Sequence, residues 1–176
     1  MIASAQTQGI KAHERTLREA HLSATKAVKK ALLERVCGLS PGEFERLVVR
    51  LLVVLRYGCK GEVTGKTGDG GIDGVIYEDL LGFSRIYVQA KRWMEPVGRP
   101  EVQKFSGALT GMAATKGVLI TVSTFTKEAR KFVTGLPQKV ILIDGSELVE
   151  LMYDCNLGVM PVASFELKTL VANFEP

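Results

Sequence analysis

The sequence predicts an α/β protein: a three-layer α/β/α sandwich with a mixed central sheet. Three observations carry this. Amphipathic helical stretches alternate with short apolar runs along most of the chain. The runs at 118–122 and 140–143 are apolar and rich in β-branched residues, as strands covered on both faces are. Segments 72–77 and 85–91 are joined by a polar, Gly-containing stretch, 78–84, which reads as an antiparallel hairpin entering the sheet.

A length of 176 residues suits one well-buried core with a short segment beside it. A boundary falls at residues 37–40. Before it, 11–36 is rich in Ala, Lys and Glu and poor in large apolar residues, which suits a surface helix or an interdomain linker. His13 and His21 lie there without a carboxylate or Cys partner pattern and read as solvent-exposed.

The main domain opens at Ser40-Pro41-Gly42-Glu43, with an N-cap Ser, Pro at the first helical position and Glu at the third. The helix that follows places Phe44, Leu47, Val48, Leu51, Leu52 and Leu55 on one stripe, and Gly58 supplies a stop. Glu45 falls on the margin of that stripe, able to reach either the packing partner or water. After the hairpin, 101–114 has a helical period, with Val102, Phe105, Leu109 and Met112 facing one way. Residues 126–134 and 146–153 read as the last two helices, and no internal repeat occurs.

Several classes are excluded. No apolar run approaches the ~20 residues needed to span a bilayer. Gln6, Gln8, Lys11, Glu14 and Arg15 break up any signal-type N-terminus. The expected setting is the cytoplasm. Cys37, Cys59 and Cys155 are too widely spaced for a Cys-x-x-Cys site and read as reduced thiols. Gly65-Lys66-Thr67 resembles the end of a P-loop, but position 60, where its first Gly belongs, is Lys60. The stretch from Asp69 to Gly74 resembles a calcium loop, but its third position is Gly71 and its twelfth Leu80.

The net charge of +4 is unevenly spread: residues 85–131 hold nine basic against three acidic residues. Anionic partners respond to such a block rather than to the total, although a solvated basic face is the plainer reading of charge alone.

One constellation survives. Gln89 and Lys91 alternate to one face of their strand, while Ile86, Val88 and Ala90 take the other. A hairpin centred near Gly82 sets Asp73 opposite Lys91 and Val75 opposite Gln89, and a slip of two residues leaves the polar set on one face. Spacing alone fits a structural Asp73–Lys91 salt bridge better than it fits a site.

The motif is more informative than the spacing. An acid in a Gly-rich strand entry, followed after a hairpin by acid-x-Lys, resembles the PD-(D/E)XK nucleases. Gly68-Asp69-Gly70-Gly71-Ile72-Asp73-Gly74 followed by Tyr87-Val88-Gln89-Ala90-Lys91-Arg92-Trp93 resembles their Mrr subgroup, in which Gln replaces the second acid. The likeness continues through Val97-Gly98-Arg99-Pro100-Glu101-Val102-Gln103, Lys116-Gly117-Val118-Leu119-Ile120-Thr121, Phe125-Thr126 and Leu142-Ile143-Asp144-Gly145, spanning about residues 40–159 in order.

The resemblance implies a restriction-endonuclease-like fold, with residues 1–39 as a helical extension or linker and 40–176 as the catalytic domain. It implies a type IV, Mrr-like endonuclease hydrolysing phosphodiester bonds of foreign or modified double-stranded DNA. Mg²⁺, with Mn²⁺ as a substitute, would be held by Asp73, the Gln89 carbonyl and the Ala90 main-chain carbonyl. Lys91 would stabilise the charge developing on the phosphate, with Glu45 as an acid beside the site. The basic block supplies Lys91, Arg92, Arg99, Lys104, Lys127, Arg130 and Lys131 as DNA-facing cations. Full-length members resemble a winged-helix recognition domain joined to this one, and only about 40 residues precede the core here. Cutting both strands calls for two sites, which a homodimer supplies. A catalytically silent DNA-binding module and a repair or junction nuclease remain the alternatives.

Overall fold

The computed structural model describes residues 2–64 and 70–168, with side chains from residue 13 onward. In chain order the elements are α1 (Ile2–Cys37), α2 (Pro41–Val54), β1 (Lys60–Val63), β2 (Gly74–Tyr77), β3 (Arg85–Lys91), α3 (Arg99–Gly111), β4 (Lys116–Thr121), α4 (Lys127–Val133), β5 (Lys139–Ile143) and α5 (Gly145–Asp154). The Gly65-Lys66-Thr67 stretch and residues Gly68 and Asp69 of the resemblance lie outside the described residues.

The five strands form one sheet in spatial order β1-β2-β3-β4-β5. β1, β2 and β3 pair antiparallel; β3, β4 and β5 pair parallel. The sheet is therefore mixed, with a hairpin at one side, as expected. Parallel pairing needs crossovers, and α3 and α4 supply them.

Each face of the sheet has its own core. On one, Leu32 and Val36 of α1, Phe44, Val48, Leu51 and Leu52 of α2, and Leu148, Val149 and Met152 of α5 cover Ile76, Ile86, Val88, Val118 and Ile120. On the other, Val102, Phe105 and Leu109 of α3 and Ala129 of α4 meet Ile72, Leu119 and Val140. Emptying a fully buried Phe44 or Phe105 to Ala costs about 3–5 kcal/mol at such positions.

The helix starts follow local chemistry. At α2 the Ser40 side chain accepts from the Glu43 N–H, and Glu43 reaches back to the Ser40 N–H at 2.8 Å, a complete capping box. Those Ser40 contacts hold the Glu43 carboxyl below its usual range. Thr126 caps α4, and Asp144 with Glu147 repeats the box at α5. The last turns of α1 belong to the core, and His13 and His21, further back on this helix, are exposed, as expected.

Three local expectations need correction. β1 was not anticipated: its four residues include two charges and a Gly, so they carry no apolar period. Met112 caps the C-terminus of α3 and is 36% exposed, off the inward stripe. The hairpin register also differs, since β2 sets Gly74 opposite Val88 and Val75 opposite Tyr87, two residues from the expected pairing. The Asp79 carboxylate accepts from the N–H groups of Leu81, Phe83 and Ser84, and Glu78 N–H closes on Ser84 O, so the turn centres on Leu81 rather than Gly82.

Candidate active site

Asp73 directly precedes β2, and its backbone is fixed from both sides. Its N–H donates to Val88 O of β3 at 2.8 Å, and its carbonyl accepts from Thr64 N–H at 3.0 Å. Gly74 next to it lets α2 approach, since a Cβ there would sit 2.5 Å from Val49 Cγ2. The Asp73 side chain turns along β3, where Oδ2 accepts from Ala90 N–H at 2.7 Å. One step beyond the paired residues, Asp73 faces Gln89 and not Lys91.

Gln89 is 5% exposed, on the sheet face shared with Leu119 and α3. Its Nε2 donates to Gly71 O at 2.5 Å. Its Oε1 is buried without a hydrogen-bond partner among the described residues. Leaving such an acceptor unpaired costs about 1–3 kcal/mol, so its retention needs a reason.

Lys91 ends β3. Its ammonium donates to Glu101 Oε2 at 2.6 Å and lies 4.2 Å from the centre of the Trp93 ring. Both ends of this pair are largely withdrawn from solvent, with side-chain exposures of 16% and 14%. The Asp73–Lys91 salt bridge that spacing favoured is thus replaced by a pair with Glu101. That residue belongs to the first turn of α3 and also accepts from Lys104 at 2.7 Å. Lys104, then Lys91, hold the Glu101 carboxyl below its usual range. Sequence reading gave Glu101 no role. The available signal was an acid beside Pro100 at a helix start, where the helix dipole favours negative charge.

Glu45 stays apart. It is half-buried on α2, which covers the opposite sheet face from Gln89 and Lys91, and no hydrogen bond or ion pair ties it to that cluster among the described residues. The basic block also divides. Arg92 Nη1 donates to Cys37 O at 3.0 Å, capping the end of α1, so its guanidinium is engaged in the fold. Arg130 pairs with Asp144 at 2.5 Å. Arg99 lies over the Phe132 ring at 4.9 Å but is exposed, as are Lys104, Lys127 and Lys131.

Among the described residues no group of three or more His, Cys, Asp or Glu could hold a metal. What the cluster does offer is oxygen: the Asp73 carboxylate and the unpartnered Gln89 Oε1. Hard divalent cations such as Mg²⁺ take such donors and keep several waters, so the residues fit that group and not a zinc-type one.

Comparisons with known proteins give the family and the fold. A family model of the Mrr catalytic domain, described as a restriction endonuclease, matches residues 36–152. The type IV methyl-directed restriction enzyme EcoKMrr of Escherichia coli (strain K12) is 48% identical over 136 residues, 76% of this chain and 44% of that protein. The chain thus spans less than half the length of the curated relative it matches. Two solved structures share the fold. The DNA modification-dependent restriction endonuclease AspBHI matches with a TM-score of 0.61 at 23% identity, covering 74% of this chain and 36% of that one. The MspJI restriction endonuclease in complex with a 27-mer oligonucleotide matches with a TM-score of 0.54 at 22% identity, covering 74% and 31%. With the α/β fold and the match over residues 36–152 in hand, the chain belongs to the Mrr catalytic-domain family of restriction endonucleases.

Proposed function

We propose that this chain is the catalytic part of a Mg²⁺-dependent endonuclease that cuts modified double-stranded DNA in the type IV manner, working as a homodimer in the cytoplasm. The observation that carries the reading is the buried, unpartnered Gln89 Oε1, opposite Asp73 in the sheet and on the strand that ends at Lys91. The relative at 48% identity is a methyl-directed restriction enzyme, which supports modified DNA as the substrate class.

Asp73 and Gln89 Oε1 would hold the cation, with the Ala90 carbonyl as a third oxygen. Bound Mg²⁺ supplies a more acidic water and neutralises phosphate oxygens. Lys91, restrained by Glu101 and Trp93, sets a positive charge against the phosphate as its negative charge grows. Exposed Arg99, Lys104, Lys127 and Lys131 would contact backbone phosphates. Arg92 and Arg130, already engaged within the fold, contribute less. Glu45 of α2 would be the acid beside the site. Residues 1–39 would form an extension whose last turns pack into the core of the 40–176 catalytic domain.

Supercoiled plasmid, methylated or not, incubated with Mg²⁺ or with EDTA provides the test. Mg²⁺-dependent cleavage is expected, passing directly to linear product in a dimer. DNA binding with no cleavage under any divalent metal would favour the silent-module alternative. Preference for branched over linear substrate would favour a junction nuclease.

A further inference from the structure

We propose that Gly71 is a positioning residue for the metal site: its main-chain carbonyl latches the Gln89 carboxamide and leaves Oε1, not Nε2, as the atom offered to a cation. The proposal rests on the reading of Asp73 and Gln89 as metal ligands.

A glutamine side chain ends in a donor and an acceptor of nearly equal size, and its last torsion is broad. Unrestrained, it would present an NH₂ group to a cation as readily as an oxygen, and the NH₂ dipole repels positive charge. The Gly71 carbonyl removes that choice. It accepts from Nε2 at 2.5 Å, a separation at which a second carbonyl oxygen would be repelled, so Oε1 must take the other side. There it lies buried and without a partner among the described residues.

The backbone is shaped for this contact. Gly70 and Gly71 are consecutive left-handed residues, with φ of +72° and +87°. Side chains are excluded at both: a Cβ on Gly71 would overlap Gln89 Nε2, and one on Gly70 would sit 2.7 Å from Ala108 Cβ of α3. The turn is thus wedged between β3 and α3, two residues before Asp73. One short segment therefore delivers the carboxylate and orients the amide. A Glu at position 89, ionised, has no N–H to give Gly71, so the latch matches this position to an amide.

The test uses the full chain, free of metal and labelled with ¹⁵N, with the Gln89 carboxamide signal identified by its loss in Gln89→Met. Its latched proton is expected to exchange with solvent about tenfold or more slowly than those of exposed Gln103. Exchange as fast as that of Gln103 would overturn the latch without any variant having to fold. In Gly71→Ala, Mg²⁺ affinity measured by calorimetry is expected to fall about 10- to 100-fold, as when a partner that orients a ligand is removed. A folded Gly71→Ala that binds Mg²⁺ like the wild type would also overturn it. Asp73→Ala separates the two readings. If that variant binds Mg²⁺ undiminished while the slow proton persists, the metal-site assignment fails and the Gly71–Gln89 contact does not.

Discussion

Two lysine–glutamate pairs stand at opposite ends of β3 and β4. At the entry, Lys116 Nζ lies 2.6 Å from Glu78 Oε2 and 3.2 Å from Ser84 Oγ. At the exit, Lys91 Nζ lies 2.6 Å from Glu101 Oε2. In each the carboxyl is held below its usual range by hydrogen bonds from lysine and a further donor. Their surroundings differ. Ser84 completes the entry pair, whose loop closes on the Asp79 carboxylate. The exit pair closes the strand that carries the unpartnered buried Gln89 Oε1, and its lysine lies over a Trp93 ring that is 46% exposed. An ion pair marks nothing by itself; a buried acceptor left unsatisfied on the same strand does.

Breaking the exit end should have the largest effect. Asp73→Ala is expected to lose Mg²⁺ binding and to slow plasmid cleavage by about 10²–10³ or more, the scale for removing a group that stabilises transition-state charge. Circular dichroism should show it folded. Next comes DNA affinity. Arg99→Ala and Lys127→Ala should each weaken binding and lower its salt slope by about one unit. Arg92→Ala should instead lower the melting temperature, because it uncaps α1, and leave the salt slope unchanged.

Both carboxyls also shape the acid limb of stability. A carboxyl whose pKa is depressed by folding contributes stability above its unfolded value, near 4.5, and that contribution disappears as the pH falls through the folded value. Glu101→Gln and Glu78→Gln should therefore both flatten the loss of melting temperature below about pH 4.5. Of the two, Glu101→Gln alone should slow cleavage at neutral pH. The smallest expected change is in the stability of Lys116→Ala, about 0–1 kcal/mol by urea titration, because its side chain is 41% exposed.

Most of the fold was legible because local chemistry repeats the global answer. Ser40, Pro41 and Glu43 announce α2 and form its cap, and the β-branched runs of β4 and β5 have no other comfortable place. β1 was hidden because Gly61 contributes by having no side chain: a Cβ there would lie 2.6 Å from Val49 Cγ1. The face shared by Gln89 and Lys91 followed from alternation alone, whereas the register depended on the Asp79 carboxylate, which no periodicity reports. Glu101 escaped because its tie to Lys91 is made by α3 returning over the end of β3. The Gln89–Gly71 contact escaped because it needs two positive φ values in succession.

The proposed site lies at the exit end of β3, not at its entry. Mg²⁺-dependent cleavage of supercoiled plasmid by the wild type, Lys91→Ala and Lys116→Ala, followed side by side over time, tests it most directly. Activity is expected to fall by about 10²–10³ in Lys91→Ala while Lys116→Ala keeps pace with the wild type. Equal losses in the two variants, or full activity in Lys91→Ala, would contradict it.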